Sequence, residues 1–223
     1  MNELRKWLLQ LANETMKREG AEDAAHDFDH LVRVMALAET IQASEGGDLP
    51  TIWAAVALHD IGQARELRQG GDHALIGAEL AGELLWQSQF PQRSIAAVQQ
   101  AIRDHRMTGN GIPQTLEGRI VYDADKIDCL GAIGIGRLYC ITGRYNQKVY
   151  SPVPDDIVEP VDPLIVRQLR RRPDYSPSIE FQLLFGKLHE RMTTNKGREL
   201  AQERYTYMRD FFVRLRKEVE GER

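Results

Sequence analysis

Apolar residues recur at helical spacing along most of this 223-residue chain, and the alternation typical of a strand is nearly absent. One face of a first helix is defined by Leu4, Trp7, Leu8 and Leu11. The same spacing predicts further helices over residues 27–44, 50–60, 73–87, 92–106, 116–141, 178–192 and 196–220. Asp72 and Asn195 are of the types that cap helix N-termini, and the polar segment 64–72 is predicted to be a loop. The chain is therefore predicted to be all-α, a helical bundle.

The segment from residue 143 to residue 177 differs from the rest, because it holds six of the nine prolines and has poor periodicity. We expect an irregular, Pro-rich insertion over the surface there, of the kind that can cover a site. No internal repeat is present, and no clean boundary divides the chain. The sequence thus predicts a single domain over residues 1–223, with the insertion at 143–177 and C-terminal helices at 178–220.

Composition narrows the classes of protein that fit. Hydrophobic residues make up 42% and charged residues 28%, and the net charge of −4 gives no support to a general nucleic-acid or membrane-surface role. Cys129 and Cys140 form neither a disulfide framework nor a zinc ribbon, and as free thiols they fit a reducing compartment. The N-terminal stretch carries charges throughout its apolar stripe, unlike a signal peptide. We expect a cytoplasmic protein without a membrane partner.

The stretch WAAVALHDIGQ (53–63) ends an apolar run with His59 and Asp60. Burying a carboxylate and an imidazole without partners costs several kcal/mol, on the order of 3–5. Two other predicted helices also bring such groups into apolar surroundings, His30 in the second and Asp125 in DADKID (123–128). A divalent cation would neutralise the carboxylates and bind neutral imidazoles, and mixed nitrogen and oxygen donors fit Mn, Mg, Fe, Ni, Co or Zn.

These residues carry a resemblance to a known family. His30 followed by LVRV, the His59-Asp60 pair, and Asp125 within ADK resemble the HD superfamily of metal-dependent phosphohydrolases, whose pattern is His, His-Asp and Asp on separate helices. DADKIDCLGAIGIGR and FGKLHERMTTNKGRELAQER further resemble small stand-alone bacterial HD proteins. The resemblance implies an HD-domain helical bundle, a metal-site core over residues 24–130, and His30, His59, Asp60 and Asp125 as the ligands of one divalent metal ion.

The resemblance also implies an activity. HD proteins of this kind act on small phosphorylated molecules, and at least one member of the subgroup hydrolyses nucleoside triphosphates to monophosphate and pyrophosphate. That reaction is the favoured expectation, with a nucleotide as substrate. A phosphomonoesterase and a non-catalytic module that holds a metal or nucleotide are the alternatives. The sequence does not predict an oligomeric state.

Asp60 is the candidate catalytic residue, because it would combine metal ligation with polarisation of the attacking water. Some HD enzymes carry further acids directly after the His-Asp pair, whereas here Gln63 follows and the next acid is Glu66. Asp128, one turn after Asp125, is the nearest alternative base, and it is equally suited to a structural role.

Cationic groups are needed to hold a phosphate, and the candidates are Arg33, Lys126 and Lys187. His105 is a further candidate, either for a substrate phosphate or for a second metal, since some HD proteins use extra histidines in that way. An exposed histidine at a helix end explains His105 equally well.

Other residues are given structural interpretations. His26 is an alternative to His30, one helical turn earlier on the same face. His73 is interpreted as a helix-start residue after the cap Asp72, and His189 as a surface residue. A basic run in the Pro-rich region is interpreted as solvated; it comprises Arg167, Arg170, Arg171 and Arg172.

Overall fold

The computed structural model describes residues 3–20, 28–106, 112–154, 166 and 168–222, and all regular structure among them is helical. The all-α prediction is confirmed. The helices are α1 (Glu3–Glu19), α2 (Phe28–Glu45), α3 (Leu49–Leu58), α4 (Gln63–Gln69), α5 (His73–Gln87), α6 (Gln92–Asp104), α7 (Leu116–Asp128), α8 (Gly131–Arg144), α9 (Pro177–Glu180) and α10 (Asn195–Val219). A π-helical turn (Phe181–Phe185) and a 3-10 helix (Leu188–Arg191) follow α9.

Two compact units contain these helices. The first unit comprises residues 1–125 and 193–197, and the second comprises residues 126–192 and 198–223. Helices α1 to α6 and most of α7 therefore belong to the first unit, while α8, α9 and most of α10 belong to the second. The single domain expected over residues 1–223 stays a prediction.

Helix α3 forms the centre of the first unit, where it packs against α1, α2 and α6. Asp48 caps its N-terminus by accepting a 3.0 Å hydrogen bond from the Thr51 amide, and every residue from Thr51 to Leu58 is buried. His59 takes the position that ends the helix. Because α3 has no solvent-facing side over these residues, the His59-Asp60 pair that follows it is delivered into the protein interior.

Two segments of the chain differ in secondary structure from the prediction. The predicted loop at 64–72 is largely helix α4, which buries Ala64, leaves Arg68 and Gln69 exposed, and ends at Gly70 with φ of +77°. The predicted helix over 116–141 is two helices, α7 and α8, separated at Gly131 with φ of +71°. A Cβ at Gly131 would lie 3.2 Å from the Arg204 side chain, so a left-handed turn without a side chain suits this break.

The late part of the chain is less regular than predicted. Residues 178–192 form α9, the π-helical turn and the 3-10 helix in place of one helix, and the Gly186 amide bonds back five residues to the Phe181 carbonyl at 2.7 Å. Helix α10 begins at Asn195, and the capping role expected of Asn195 belongs to Thr194, whose Oγ1 accepts from the Gly197 amide at 3.0 Å.

Within the predicted insertion, residues 145–154 lack regular helix, and 155–165 and 167 lie outside the described residues. Among the helices that the structure describes, none combines the length and apolar character needed to cross a bilayer.

Candidate metal centre

Four side chains from three helical regions of the first unit meet in its interior. His30 comes from α2, His59 and Asp60 from the end of α3, and Asp125 from α7, and each is less than a tenth exposed. Asp125 Oδ1 lies 3.5 Å from His30 Nε2 and 3.8 Å from His59 Nε2. Asp60 Oδ2 lies 3.7 Å and 3.3 Å from the same two nitrogen atoms. The structure thus brings together the four ligands expected from the sequence.

The orientation of the His59 ring determines which of its nitrogen atoms faces the carboxylates. His59 Nδ1 lies 2.8 Å from the Val56 carbonyl oxygen, and a carbonyl can only accept, so Nδ1 carries the proton. In a neutral ring, Nε2 then presents a lone pair towards Asp60 and Asp125. This buried nitrogen makes no hydrogen bond to any described residue. A lone pair held against carboxylate oxygens calls for a positive charge between them, either a proton or a metal ion.

The second oxygen of Asp60 faces two more histidines. His105 Nε2 lies 3.7 Å and His73 Nε2 4.0 Å from Asp60 Oδ1, and the two Nε2 atoms are 3.3 Å apart. His105 Nδ1 is held 2.6 Å from the Ile102 carbonyl oxygen, so its Nε2 also presents a lone pair inward. Asp60 is therefore shared between two sets of imidazoles, one on each carboxylate oxygen.

Side chains around His73 complete this second set. His73 Nδ1 lies 3.1 Å from Glu66 Oε2 on α4. Arg106 Nη1 lies 3.6 Å from Glu66 Oε1 and 2.8 Å from Asp72 Oδ2. Asp72 in turn caps α5, because its Oδ1 accepts from the Ala74 amide at 2.8 Å.

The pKa values of the histidines follow from burial and from these carboxylates. Burial alone would lower the pKa of His59, but the charges on Asp60 and Asp125 outweigh it and raise this pKa to about 9. For His73 burial dominates, and its pKa is lowered despite the charges on Asp60 and Glu66. Burial also acts against the Asp72 carboxylate, but Arg106 and the Ala74 amide lower its pKa overall. The two carboxylates thus favour a positive charge at His59, whereas burial disfavours one at His73.

The donor atoms fit a divalent cation. Two groups of donors lie within 4.8 Å of one another, His30 with His59 and Asp125, and His59 with Asp60 and His105. Neutral imidazole nitrogen and carboxylate oxygen are ligands for first-row divalent metals, and the additional ring N–H···O contacts are the usual support for ligating histidines. The set does not select one metal.

The three cationic candidates differ in burial. Arg33 is half-buried on α2, one turn after His30. Lys126 is buried and Lys187 is exposed, and both belong to the second unit. Their roles in substrate binding, like that of Arg33, stay predictions. His105 is buried among the site histidines, not exposed at a helix end.

The structural interpretations have mixed outcomes. Asp128, in the second unit, is fully buried and its Oδ2 accepts from Arg137 Nη1 at 2.9 Å, a contact that favours the structural role. His189 is half-buried, and its ring stacks on Tyr205 with centroids 3.8 Å apart. His26 lies outside the described residues.

Two arginines of the basic run are paired with acids, and Arg171 is exposed. Arg170 Nε donates to Glu180 Oε2 at 2.9 Å, and Arg172 Nε donates to Asp174 Oδ1 at 3.0 Å. The solvated interpretation of Arg170 is therefore wrong, because Glu180 is buried and holds it. Arg167 lies outside the described residues.

Sequence reasoning missed His73 and Glu66. His73 was interpreted as a helix-start residue, which it is, but its ring turns inward to Asp60 and His105. Glu66 lies in a segment predicted to be loop. One sequence feature could have indicated this contact. Glu66 and His73 are seven residues apart and flank Gly70-Gly71, a turn signal that can bring α4 and the start of α5 together.

Histidines and aspartates from separate helices meet in the interior of this all-α unit. This arrangement is that of a helical metal-site domain. The chain belongs to the HD domain family, whose model matches residues 27–130. It is similar to a predicted HD superfamily hydrolase from an uncultured Thermotogales bacterium, with 30% identity, a TM-score of 0.65, and coverage of 96% of this chain and 91% of the other.

Two other relatives bear on function. YpgQ of Bacillus subtilis (strain 168), an uncharacterized protein, is 25% identical over 204 residues, which cover 90% of this chain and 87% of YpgQ. The structure of YpgQ in complex with ADP has a TM-score of 0.71, 23% identity, and coverage of 97% of this chain and 95% of YpgQ. Ribonuclease Y of Chloroflexus aurantiacus is 38% identical over 100 residues, 45% of this chain and 18% of that enzyme.

Proposed function

We propose that this protein is a metal-dependent phosphohydrolase that converts nucleoside triphosphates to monophosphate and pyrophosphate. The observation that carries the proposal is the position of Asp60, one buried carboxylate with His30 and His59 facing Oδ2 and with His73 and His105 facing Oδ1. Such an arrangement is poorly suited to a purely structural role, because buried lone pairs face one another until a cation is present.

The residues that would hold the cation are His30, His59, Asp60 and Asp125. His73 and His105, which face Asp60 Oδ1, would hold a second cation together with Asp60. When bound, divalent ions of this kind activate water as a nucleophile near neutral pH and offset the charge on phosphoryl oxygens. The physiological metal is one of Mn, Mg, Fe, Ni, Co and Zn, all of which accept this donor set.

The side chains of the protein contribute orientation and exclusion of water. The ring of His59 is fixed by the Val56 carbonyl and that of His105 by the Ile102 carbonyl, so the donor atoms do not have to reorganise during the reaction. Asp60, the proposed catalytic residue, would accept a hydrogen bond from the attacking water and so point the oxygen lone pair at phosphorus.

The substrate class follows from charge and from similarity. A triphosphate needs cationic side chains, and Arg33, Lys126 and Lys187 remain the candidates for this role. YpgQ, similar over most of both chains, was crystallised with ADP, and this supports a nucleotide in preference to other phosphate esters. We place the protein in the cytoplasm as part of the same proposal.

A second candidate function is hydrolysis of a phosphodiester. The observation that favours it is the 38% identity to Ribonuclease Y, which exceeds the identity to YpgQ although it extends over only 100 residues. A phosphomonoesterase and a module that binds nucleotide without turnover are the remaining alternatives, and the same experiment separates all four.

The test is a substrate panel with Mn²⁺ or Mg²⁺ in which products are separated by chromatography. The panel contains the ribo- and deoxyribonucleoside triphosphates, their monophosphates, ADP, bis-p-nitrophenyl phosphate and a short RNA. The proposal expects monophosphate and pyrophosphate from at least one triphosphate, with turnover abolished in Asp60→Ala. Asp210→Ala, which removes an exposed carboxylate of the second unit, is the control and should match wild type.

Other products would indicate one of the alternative functions. Release of inorganic phosphate from monophosphates would indicate a phosphomonoesterase, and cleavage of the diester or the RNA would indicate a phosphodiesterase. Nucleotide binding without any product would leave a binding module. Turnover retained in Asp60→Ala would contradict the proposed mechanism altogether.

A further inference from the structure

Three imidazoles around Asp60 have the same orientation but different supports. Each has Nδ1 held by an oxygen and Nε2 directed inward. For His59 and His105 the oxygen is a backbone carbonyl three residues earlier, in the last turn of the preceding helix, as given above for Val56 and Ile102. These supports belong to the main chain, and substitution of a side chain does not remove them.

His73 has no such carbonyl available. It is the first residue of α5, and the chain before it is extended at Asp72, with φ of −123° and ψ of 115°. A helix start has no preceding turn whose carbonyl could reach the ring. The support for His73 comes instead from Glu66 on α4, whose Oε2 lies 3.1 Å from Nδ1.

The Glu66 carboxylate is itself held in place. Its side chain is 11% exposed, and Arg106 reaches its other oxygen while also pairing with the helix cap Asp72. The Arg106 side chain is 15% exposed. Glu66, Arg106 and Asp72, which we call the His73 brace, therefore join α4, the start of α5 and the end of α6 at one point.

We propose that Glu66 is a positioning residue that fixes the His73 ring and thereby enables the second cation position to fill. A carboxylate that accepts a hydrogen bond from Nδ1–H leaves Nε2 as the metal-binding atom and makes it a stronger ligand. The first cation position, that of His30, His59, Asp60 and Asp125, does not use His73. We therefore expect its affinity for a cation to be independent of Glu66. This inference rests on the proposed metal-dependent function.

The experiment measures binding of Mn²⁺ to the purified full-length protein by equilibrium dialysis with elemental analysis. Low-temperature electron paramagnetic resonance follows the spin-coupled Mn²⁺ pair as a second readout. The variants are Glu66→Gln, which keeps the shape but not the charge, Glu66→Ala, which removes the support, and Glu66→Asp, which keeps the charge. Glu79→Gln, an exposed acid on the same helix as His73, is the matched control.

Wild type and Glu79→Gln are expected to bind two equivalents and to give the coupled signal. In Glu66→Gln the second equivalent weakens by about 10- to 100-fold, in line with the effect of removing a partner of a ligating histidine. Glu66→Ala weakens it at least as much, and Glu66→Asp restores part of the affinity. The first equivalent is unchanged in all variants, which also reports that they are folded.

The results separate failure of this inference from failure of the proposed function. If wild type binds two equivalents of Mn²⁺ and Glu66→Gln binds both with the same affinities, only the role of Glu66 is overturned. Wild type with a single equivalent would overturn the second position and this inference with it. Wild type with none would contradict the metal-dependent function.

Discussion

Two carboxylates on opposite sides of α7 are both buried, yet they have entirely different partners. Asp123 accepts hydrogen bonds from the Thr193 amide at 2.9 Å and from the Thr194 amide at 2.8 Å, and the two hydroxyls add bonds of 3.0 Å and 2.6 Å. Asp125, two residues further on, faces His30 and His59 through Oδ1.

The comparison shows that burial of an acid does not by itself identify a functional group. Burial raises the pKa of Asp123 even against the bonds from Thr193 and Thr194 that lower it, but those four donors are fixed and satisfy the carboxylate within the protein. The neighbours of Asp125 are the rings of His30 and His59, and a neutral His59 presents the Nε2 lone pair to it, because Nδ1 carries the proton. Asp123 is satisfied by donors of the protein itself, whereas Asp125 belongs to a group of side chains that could hold a metal ion.

The largest effect is expected at Asp125. Asp125→Asn keeps the shape but removes one charge from the metal site, and loss of several kcal/mol of transition-state stabilisation corresponds to roughly 10³-fold or more in hydrolysis rate. Metal content falls with it. Turnover and bound metal are measured on the same preparation, and wild-type values for both would remove Asp125 from the site.

The next effect is expected at Asp123, and it concerns the free energy of unfolding. Asp123→Ala leaves the buried amide and hydroxyl donors of Thr193 and Thr194 without their acceptor, which should lower the free energy of unfolding by about 3 kcal/mol. Metal bound per folded molecule should be kept. Urea denaturation of the metal-free protein measures the first quantity and elemental analysis the second; loss of metal without loss of stability would reverse the assignment of the two acids.

A smaller effect is expected from crowding the same carboxylate. A Cβ at Gly197 would lie 2.2 Å from Asp123 Oδ2 and 2.6 Å from Thr194 Oγ1, so Gly197→Ala should cost about 1–3 kcal/mol of stability through displaced contacts. Gly136→Ala is the matched control, because nothing lies within 4 Å of its Cβ and alanine favours a helix. Equal melting temperatures for the two variants would show that the contacts around Asp123 adapt freely.

The sequence predicted most helices and the four side chains that meet in the interior of the first unit, because periodicity and residue type are local and the His, His-Asp, Asp order is visible in the chain. It did not predict His73 as a site residue, since a histidine after a capping aspartate looks the same whether its ring turns inward or outward. The break at Gly131 was missed for a similar reason. Apolar periodicity continues from α7 into α8, and the partner at the end of α7 is far along the chain, since Arg204 Nη1 donates to the Ile127 carbonyl at 3.0 Å.

The irregular stretch after α9 was also outside the reach of pattern reasoning. Residues 178–192 carry helical spacing, but Phe181 stacks on Phe212 with ring centroids 4.7 Å apart, a contact between segments distant in sequence. Tertiary contacts of this kind override local preference, and a single sequence gives no view of them.

The carbonyl supports of His59 and His105 have a consequence for how this protein can change over evolutionary time. Each ring is aligned with the main chain of the helix that ends beside it, and one residue inserted into such a helix would rotate everything after it by about 100°. Lengths of α3 and α6 are thus expected to be conserved among relatives that keep the activity, even where the residues within those helices drift, and insertions should accumulate only in the connecting loops.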